Sequence, residues 1–295
     1  MTILSIRQLK KDYGKINALR GVSFDVEPGV VFGILGPNGS GKTTLLGLIT
    51  DILIPTEGSF TLFDQQPSAA LRKQLGAFIE TPNFYHYLSG QKNLEIVAEI
   101  KGHDKSDISR VLDIVNLTDR KDTRFSTYSL GMKQRLAIAS CLLGDPDVLI
   151  LDEPTNGLDP VGIAEIRELI RKLHHEGKTI IMASHLLDEV EKVCTHVAIL
   201  KKGELVATGS VNEILSHEEM VEVGANNLEA LKRAVQQFNG YNSFVFSNNH
   251  LQLFFNPGMA DLEQLNRFFF DRGVTLNHLQ LKKKSLESKF FELTN

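Results

Sequence analysis

The run Gly36-Pro37-Asn38-Gly39-Ser40-Gly41-Lys42-Thr43 constrains this chain more than any other. It fits the pattern GxxxxGK[ST] at every fixed position. Ahead of it stands Val31-Phe32-Gly33-Ile34-Leu35, an apolar run suited to a strand buried on both faces. Behind it, Thr43 to Ile49 reads as a helix. A glycine-rich turn between a buried strand and a helix points backbone N–H groups into one concavity, and the helix N-terminus adds its positive end. The segment therefore reads as a cradle for the phosphates of a nucleoside triphosphate, extending through Thr44. In such a cradle Lys42 reaches the outer phosphates and Thr43 offers its hydroxyl to Mg²⁺. An ordinary glycine turn is the plain alternative, and the flanking strand and helix argue against it.

A phosphate loop needs an acidic partner for the metal and the attacking water. Val148-Leu149-Ile150-Leu151 is a second buried run, and it ends in Asp152-Glu153. Asp152 is expected to hold Mg²⁺ through water and Glu153 to act as general base. Two adjacent carboxylates at a buried strand end are costly without a cation nearby. Thr179 to Ala183 reads as a third core strand, and His185 follows it. That spacing predicts His185 at the same sheet edge, near the γ-phosphate. A lone histidine is more often a packing or surface residue, and its position past a core strand favours the functional reading.

Elsewhere the pattern sorts the chain into two styles. Leu4, Ile6, Leu9 and then Val22, Phe24, Val26 alternate with polar residues, as in half-buried antiparallel strands. Residues from about 76 to 144 read as mainly helical. Asp159-Pro160 pairs an N-cap with a first-turn proline, opening a helix that Gly177 ends. Val197 to Thr208 reads as a hairpin turning at Lys202-Gly203. Beyond Ser210 the reading is strand 220–223, helix 228–238, strands 244–247 and 251–255, helix 261–271 and strand 275–281. That βαββαβ order predicts a small ferredoxin-like α+β domain.

Of 295 residues, 42% are hydrophobic and 23% charged, which suits a globular protein with its own core. A formal net charge of -4 offers no general attraction to nucleic acid, so no nucleic-acid partner is expected. Cys141 and Cys194 are weak evidence for a disulfide, and Cys194 reads as a buried free thiol. No basic stretch leads into an apolar run at the N-terminus, and no run of about 18 apolar residues is present. The expected setting is a reducing cytoplasm, with any membrane part supplied by another chain.

Together these residues resemble the ATP-binding subunits of ABC transporters, over about residues 3 to 215. The most diagnostic stretch is Tyr128-Ser129-Leu130-Gly131-Met132-Lys133-Gln134-Arg135-Leu136, similar to the family signature LSGGQ and its helix. The resemblance implies an α/β P-loop NTPase over residues 1–215, with a RecA-like core, an antiparallel β subdomain and a helical subdomain at about 76–144. Residues 216–295 would form the accessory α+β domain. It further implies ATP as the nucleotide with Mg²⁺, and two subunits meeting head to tail, either two copies of this chain or one copy with a relative. Ser129 and the Gly131 backbone would then cap the ATP held by the opposite subunit. Leu130 and Met132 depart from the signature and remove its glycine and glutamine contacts.

Other positions match the family one by one. Tyr13 stands where an aromatic residue stacks on adenine. Asn156-Gly157-Leu158-Asp159 resembles the loop that communicates between the two ATP sites, and Asp159 also reads as a helix cap. Glu80 stands where a glutamine senses the metal and the membrane partner; a carboxylate there would contact the metal or a basic group of that partner. With Asn83-Phe84-Tyr85 and Leu88-Ser89-Gly90, Glu80 resembles subunits of exporters that protect bacteria from lantibiotics and bacitracin-like peptides. The implied partner is an integral-membrane permease, with this chain peripheral at the cytoplasmic face.

At the end, Leu286, Phe290 and Leu293 are at helical spacing, and Lys282-Lys283-Lys284 reads as a solvated run. A soluble ABC ATPase acting on ribosomes or DNA is the rival; it would carry two cassettes or a coiled-coil insertion, and neither is seen. A non-enzymatic regulator is opposed by the Asp152-Glu153 pair. A GTP switch would need an Asn-Lys-x-Asp motif, which is absent.

Overall fold

Alternating apolar positions at the start of the chain become a hairpin. β1 (Leu4–Tyr13) runs antiparallel to β2 (Ile16–Val26), with Leu4, Ile6, Leu9, Val22, Phe24 and Val26 buried between them and the core. β3 (Val31–Leu35) is buried at every residue, and α1 (Lys42–Ile49) begins directly after the glycine loop. β4 (Glu57–Leu62) returns to pair antiparallel with β1, completing a three-stranded sheet ordered β2-β1-β4. These coordinates are a computed structural model, which describes residues 1–80, 83–215, 219–247, 250–256, 258–283, 286 and 290.

After the short α2 (Ala69–Arg72), β5 (Leu75–Phe78) joins the main sheet. Residues 76–78 therefore belong to the core sheet and not to the helical stretch expected from 76. The reason is local: Leu75, Gly76 and Phe78 are buried against a neighbouring strand, a pattern too short to be told from a helix turn by periodicity. The helices follow as α3 (Gly90–Lys101), α4 (Ile108–Ile114) and α5 (Leu130–Leu142). Serines cap two of them: Ser89 accepts from the Lys92 N–H and Ser129 from the Met132 N–H, each at 3.2 Å.

The remaining core elements alternate strand and helix. They are β6 (Val148–Asp152), α6 (Pro160–His175), β7 (Thr179–Ser184), α7 (Leu187–Val193), β8 (His196–Lys201) and β9 (Glu204–Ser210). The six-stranded sheet has the order β5-β6-β7-β3-β8-β9. Its strands from β5 to β8 are parallel, so connections cross over through helices. Register then does the positioning: Leu35 pairs with Ser184 and Asp152 with Ala183. The carboxyl ends of β3, β6 and β7 thus emerge together, which carries the glycine loop, Asp152-Glu153 and His185 to one edge. Cys141 and Cys194 are buried free thiols; burial pushes Cys141 up to about 11 and Cys194 higher still.

The chain divides into two compact units, Met1–Gly209 and Ser210–Asn295. The second contains α8 (Val211–Leu215), β10 (Glu219–Ala225), α9 (Leu228–Val235), β11 (Ser243–Ser247), β12 (His250–Phe255), α10 (Leu262–Asp271) and β13 (Leu276–Lys283). Its sheet is ordered β11-β12-β10-β13 with every pair antiparallel, the ferredoxin-like arrangement that the βαββαβ order predicts. Val221, Val223, Leu251 and Leu253 bury one sheet face under Leu231, Val235, Leu265 and Phe269 of its two packed helices. Helix α9 stops at Val235, three residues before the expected Phe238, which instead packs its ring edge-on against Phe268 at 4.8 Å. Lys282 stays partly exposed and pairs with Glu222 at 2.7 Å. Leu286 is fully buried. Lys284 and Leu293 lie outside the described residues.

Candidate active site

A cleft of about 600 Å³ opens at the carboxyl edge of β3 and β6. Asn38, Gly39, Gly41, Lys42, Thr43 and Thr44 form its floor, and Glu153 and His185 form one wall. The glycine loop is shaped by close approach. Gly36 has φ 155, and a Cβ there would stand 2.3 Å from the Leu200 carbonyl oxygen and 2.4 Å from Ser40 Oγ. Only glycine fits that position. The Ser40 N–H donates to the Pro37 carbonyl at 3.1 Å, while the Ser40 carbonyl accepts from the Gly203 N–H at 3.0 Å. The turn at Lys202-Gly203 thereby clamps the loop from outside. Ser40 Oγ is buried with no partner.

Lys42 is 6% exposed, which is low for an ammonium. Its Nζ donates to the Gly36 carbonyl at 2.8 Å and lies 3.3 Å from Glu153 Oε1. The other carboxylate oxygen of Glu153, Oε2, is 2.8 Å from His185 Nδ1. Glu153 itself sits at φ 48, in the left-handed region that a glutamate rarely adopts, and its N–H donates to the Ala183 carbonyl at 3.0 Å. A strained backbone thus aims a carboxylate that is gripped from both sides.

Asp152 is 2% exposed, and its Oδ1 has no partner. Burial raises its carboxyl above the usual carboxylate range. The Thr43 hydroxyl and the Glu80 N–H oppose the rise by hydrogen bonding, the Glu153 charge adds to it, and Lys42 opposes it. An unpartnered oxygen on a buried carboxylate beside a threonine hydroxyl fits a divalent cation. Among the described residues no group of three or more His, Cys, Asp or Glu forms a metal cage. The protein donors at this point, Asp152 and Thr43, would suit Mg²⁺ that takes its other ligands from water and phosphate.

Other expected site residues lie elsewhere. Tyr13 and Glu80 line a second cleft of about 360 Å³ that shares Thr43 and Thr44 with the first. Tyr13 is 45% exposed, and Glu80 is exposed with φ 62. Neither Ser129, Gly131 nor Asp159 borders the main cleft of its own chain. Ser129 caps α5, and Asp159 caps α6 by accepting from the Gly162 N–H at 2.9 Å. Ile16, Asn17, Ala18, Arg20, Asn156 and Lys202 do border it. Only Asn156 and Lys202 fell inside segments singled out in the sequence, as parts of turns. Ile16, Asn17, Ala18 and Arg20 lie on β2, and no pattern in the sequence marks that strand as a wall of the cleft.

A family model described as ABC transporter matches residues 19–156. Over 99% of its length the chain is 33% identical to the bacitracin transport ATP-binding protein BcrA of Enterococcus faecalis, covering 96% of that protein. The chain belongs to the ABC transporter ATP-binding proteins. This ABC ATP-binding protein is also 39% identical over 204 residues to the lantibiotic transport ATP-binding protein SrtF of Streptococcus pyogenes, 69% of this chain and 89% of that one. Among solved structures it matches cbiO1 of Clostridium perfringens, part of the ABC transporter complex cbiONQ. That match has 31% identity and a TM-score of 0.66 over 72% of this chain and 90% of the other. The ABC ATP-binding protein is an ATPase subunit that binds ATP and powers transport through a separate membrane chain. Among its described residues no helix is long and apolar enough to cross a membrane.

Proposed function

We infer that this protein hydrolyses ATP with Glu153 as base, Lys42 and the Gly36–Thr44 loop as phosphate cradle, and Thr43 with Asp152 as the protein ligands of Mg²⁺. The observation that carries the reading is Glu153 held between Lys42 at 3.3 Å and His185 at 2.8 Å, beside the unpartnered Asp152 oxygen. Mg²⁺ held by Thr43 and Asp152 would supply charge neutralisation for the phosphates. The attacking water gives its proton to the Glu153 carboxylate as its oxygen bonds to the γ-phosphorus, and the bond to the departing ADP breaks. His185 orients that carboxylate beside the γ-phosphate. Lys42 exchanges its loop carbonyls for phosphate oxygens. Tyr13 stacks on the adenine from the neighbouring cleft. Glu80 lines the neighbouring cleft with Thr43, its N–H turned to Asp152, and its carboxylate would serve a bound cation or a basic group of the membrane partner.

The working form is a head-to-tail pair, with Ser129 and Gly131 of one subunit closing the ATP site of the other and Asp159 in the turn between the sites. Supporting this, both serine and glycine lie away from their own cleft. The partner of the pair is an integral-membrane permease at the cytoplasmic face, and the cargo is a peptide antibiotic or similar amphiphile moved outward. The bacitracin and lantibiotic relatives support the cargo class. Exposed Tyr85, Tyr87 and Ile100 on the helical part are apolar surface that suits a protein partner. Residues 1–215 serve as the ATP-binding domain and 216–295 as the accessory domain.

Glu153→Gln tests the chemistry: phosphate release is expected to fall by about 10²–10⁴-fold while ATP still binds. Near-normal turnover in that variant would remove Glu153 as base. The same variant, tagged and recovered with ATP from detergent-solubilised cells, is expected to bring down a polytopic membrane protein. Ribosomes in its place would move the ATPase to a soluble role.

A further inference from the structure

Leu130 is where the signature-like stretch departs from its pattern, and it is 46% exposed at the start of α5. Its side chain has a definite neighbour. A Cβ built on Gly157 would stand 3.2 Å from Leu130 Cδ2, so the leucine packs on bare backbone there. The contact is returned one residue later, where Leu158 Cδ2 lies 3.9 Å from the same position built on Gly131. Gly157 has φ 74, a conformation that other residues adopt only with strain. The turn is thus shaped to receive the leucine.

On its other side the same turn enters the cleft. Asn156 borders the cleft, and its N–H donates to the Glu153 carbonyl at 3.1 Å. Glu153 is the residue held in the left-handed region, with its carboxylate between Lys42 and His185. Leu130, Gly157 and Asn156 therefore form one connected path from the N-terminus of α5 to the base of the same chain. We propose that Leu130 is a positioning residue for hydrolysis that acts within its own subunit: by packing on Gly157 it holds the Asn156 turn, and through it Glu153. This rests on the proposed function, in which the adjacent Ser129 instead serves the opposite subunit. Leu130 would link the two: a shift of α5 as it closes over the partner's ATP moves the turn that carries its own base.

Mixed pairs of the full chain, purified through two different tags, separate the two directions. In the first pair one copy carries L130G and the other E153Q, so the only working base shares its chain with the glycine and is closed by an intact signature. In the second pair both changes sit in one copy beside a wild-type copy, so the working base has its own leucine and is closed by the altered signature. The reference is wild type with E153Q. The first pair is expected to lose about fivefold or more in kcat with KM within about twofold, while the second stays near the reference. A fall in the second pair at least as large as in the first, or no fall in the first, overturns the proposal. L130A, melted alongside to confirm folding, is expected to repeat the pattern, and L130V to restore most of the rate. A wild-type pair that releases no phosphate overturns the proposed function itself, a result distinct from any of these.

Discussion

Two acidic residues, the partly buried Glu222 of one unit and the buried Asp152 of the other, are treated in opposite ways. Glu222 on β10 accepts from Lys282 at 2.7 Å and from Gln252 at 3.2 Å, with His278 at 3.4 Å, and the lysine and its neighbours hold its carboxyl below the usual range. Asp152 on β6 is more deeply buried, keeps one oxygen without a partner, and is held above that range. The accessory unit satisfies its charge and gains stability from it. The catalytic edge leaves its charge unsatisfied, and Glu153 adds a strained backbone next door. The difference teaches where this molecule spends stability: at the edge where a cation and phosphate are to be received.

The comparison can be pressed hardest in the accessory core. Phe269 is fully buried there, and Phe269→Ala is expected to cost about 3–5 kcal/mol. Amide exchange should then lose protection in β10, β12 and β13 while β3, β6 and β7 keep theirs. Equal loss in both sets would mean that the two units do not hold their stability separately. A smaller effect of opposite sign is expected at the catalytic edge. Asp152→Asn removes a carboxylate that burial opposes, so the variant should melt higher at neutral pH, by about 1 kcal/mol, while turnover collapses. The sign follows from the raised carboxyl. The folded chain binds the Asp152 proton more tightly than the unfolded chain, so the wild type loses stability as pH rises through the folded pKa. The advantage of the asparagine should therefore vanish in acid. A variant that melts lower than wild type at pH 7 would show that the cradle already compensates Asp152.

Glu222→Gln gives a change of similar size, of opposite sign and with the reverse pH dependence. Its lowered carboxyl contributes stability above the usual carboxylate range and loses it as pH falls through the folded value. The glutamine variant should be less stable by about 1 kcal/mol at neutral pH and indistinguishable from wild type in acid. A variant as stable as wild type at pH 7 would remove Glu222 from the comparison.

How much of this was legible in the chain depends on how local each feature is. The glycine loop was readable because the residue types its turn requires stand together in the chain, with Gly36 and Gly41 in regions of φ that glycine favours. The caps at Ser129 and Asp159 were readable for the same reason, since each side chain bonds an N–H three residues away. The β2 wall of the cleft was not. Asn17 and Arg20 reach the cleft because the Arg20 N–H donates to the Gly203 carbonyl at 2.8 Å, a bond across 183 residues that no periodicity records. The contact of Leu130 with Gly157 was equally hidden, although both residues had been singled out separately.

By itself the sequence determined which groups carry the chemistry: a phosphate loop between strand and helix, a carboxylate pair ending an apolar run, and a histidine beyond the next one. It determined them because strand ends and tight turns are written in neighbouring residues. Only the tertiary structure decided that these pieces share one edge, through a parallel register that sets Leu35 beside Ser184 and Asp152 beside Ala183. It also decided that Asp152 keeps an oxygen free and that Glu153 is held from two sides, because burial and partnership are properties of distant segments brought into contact.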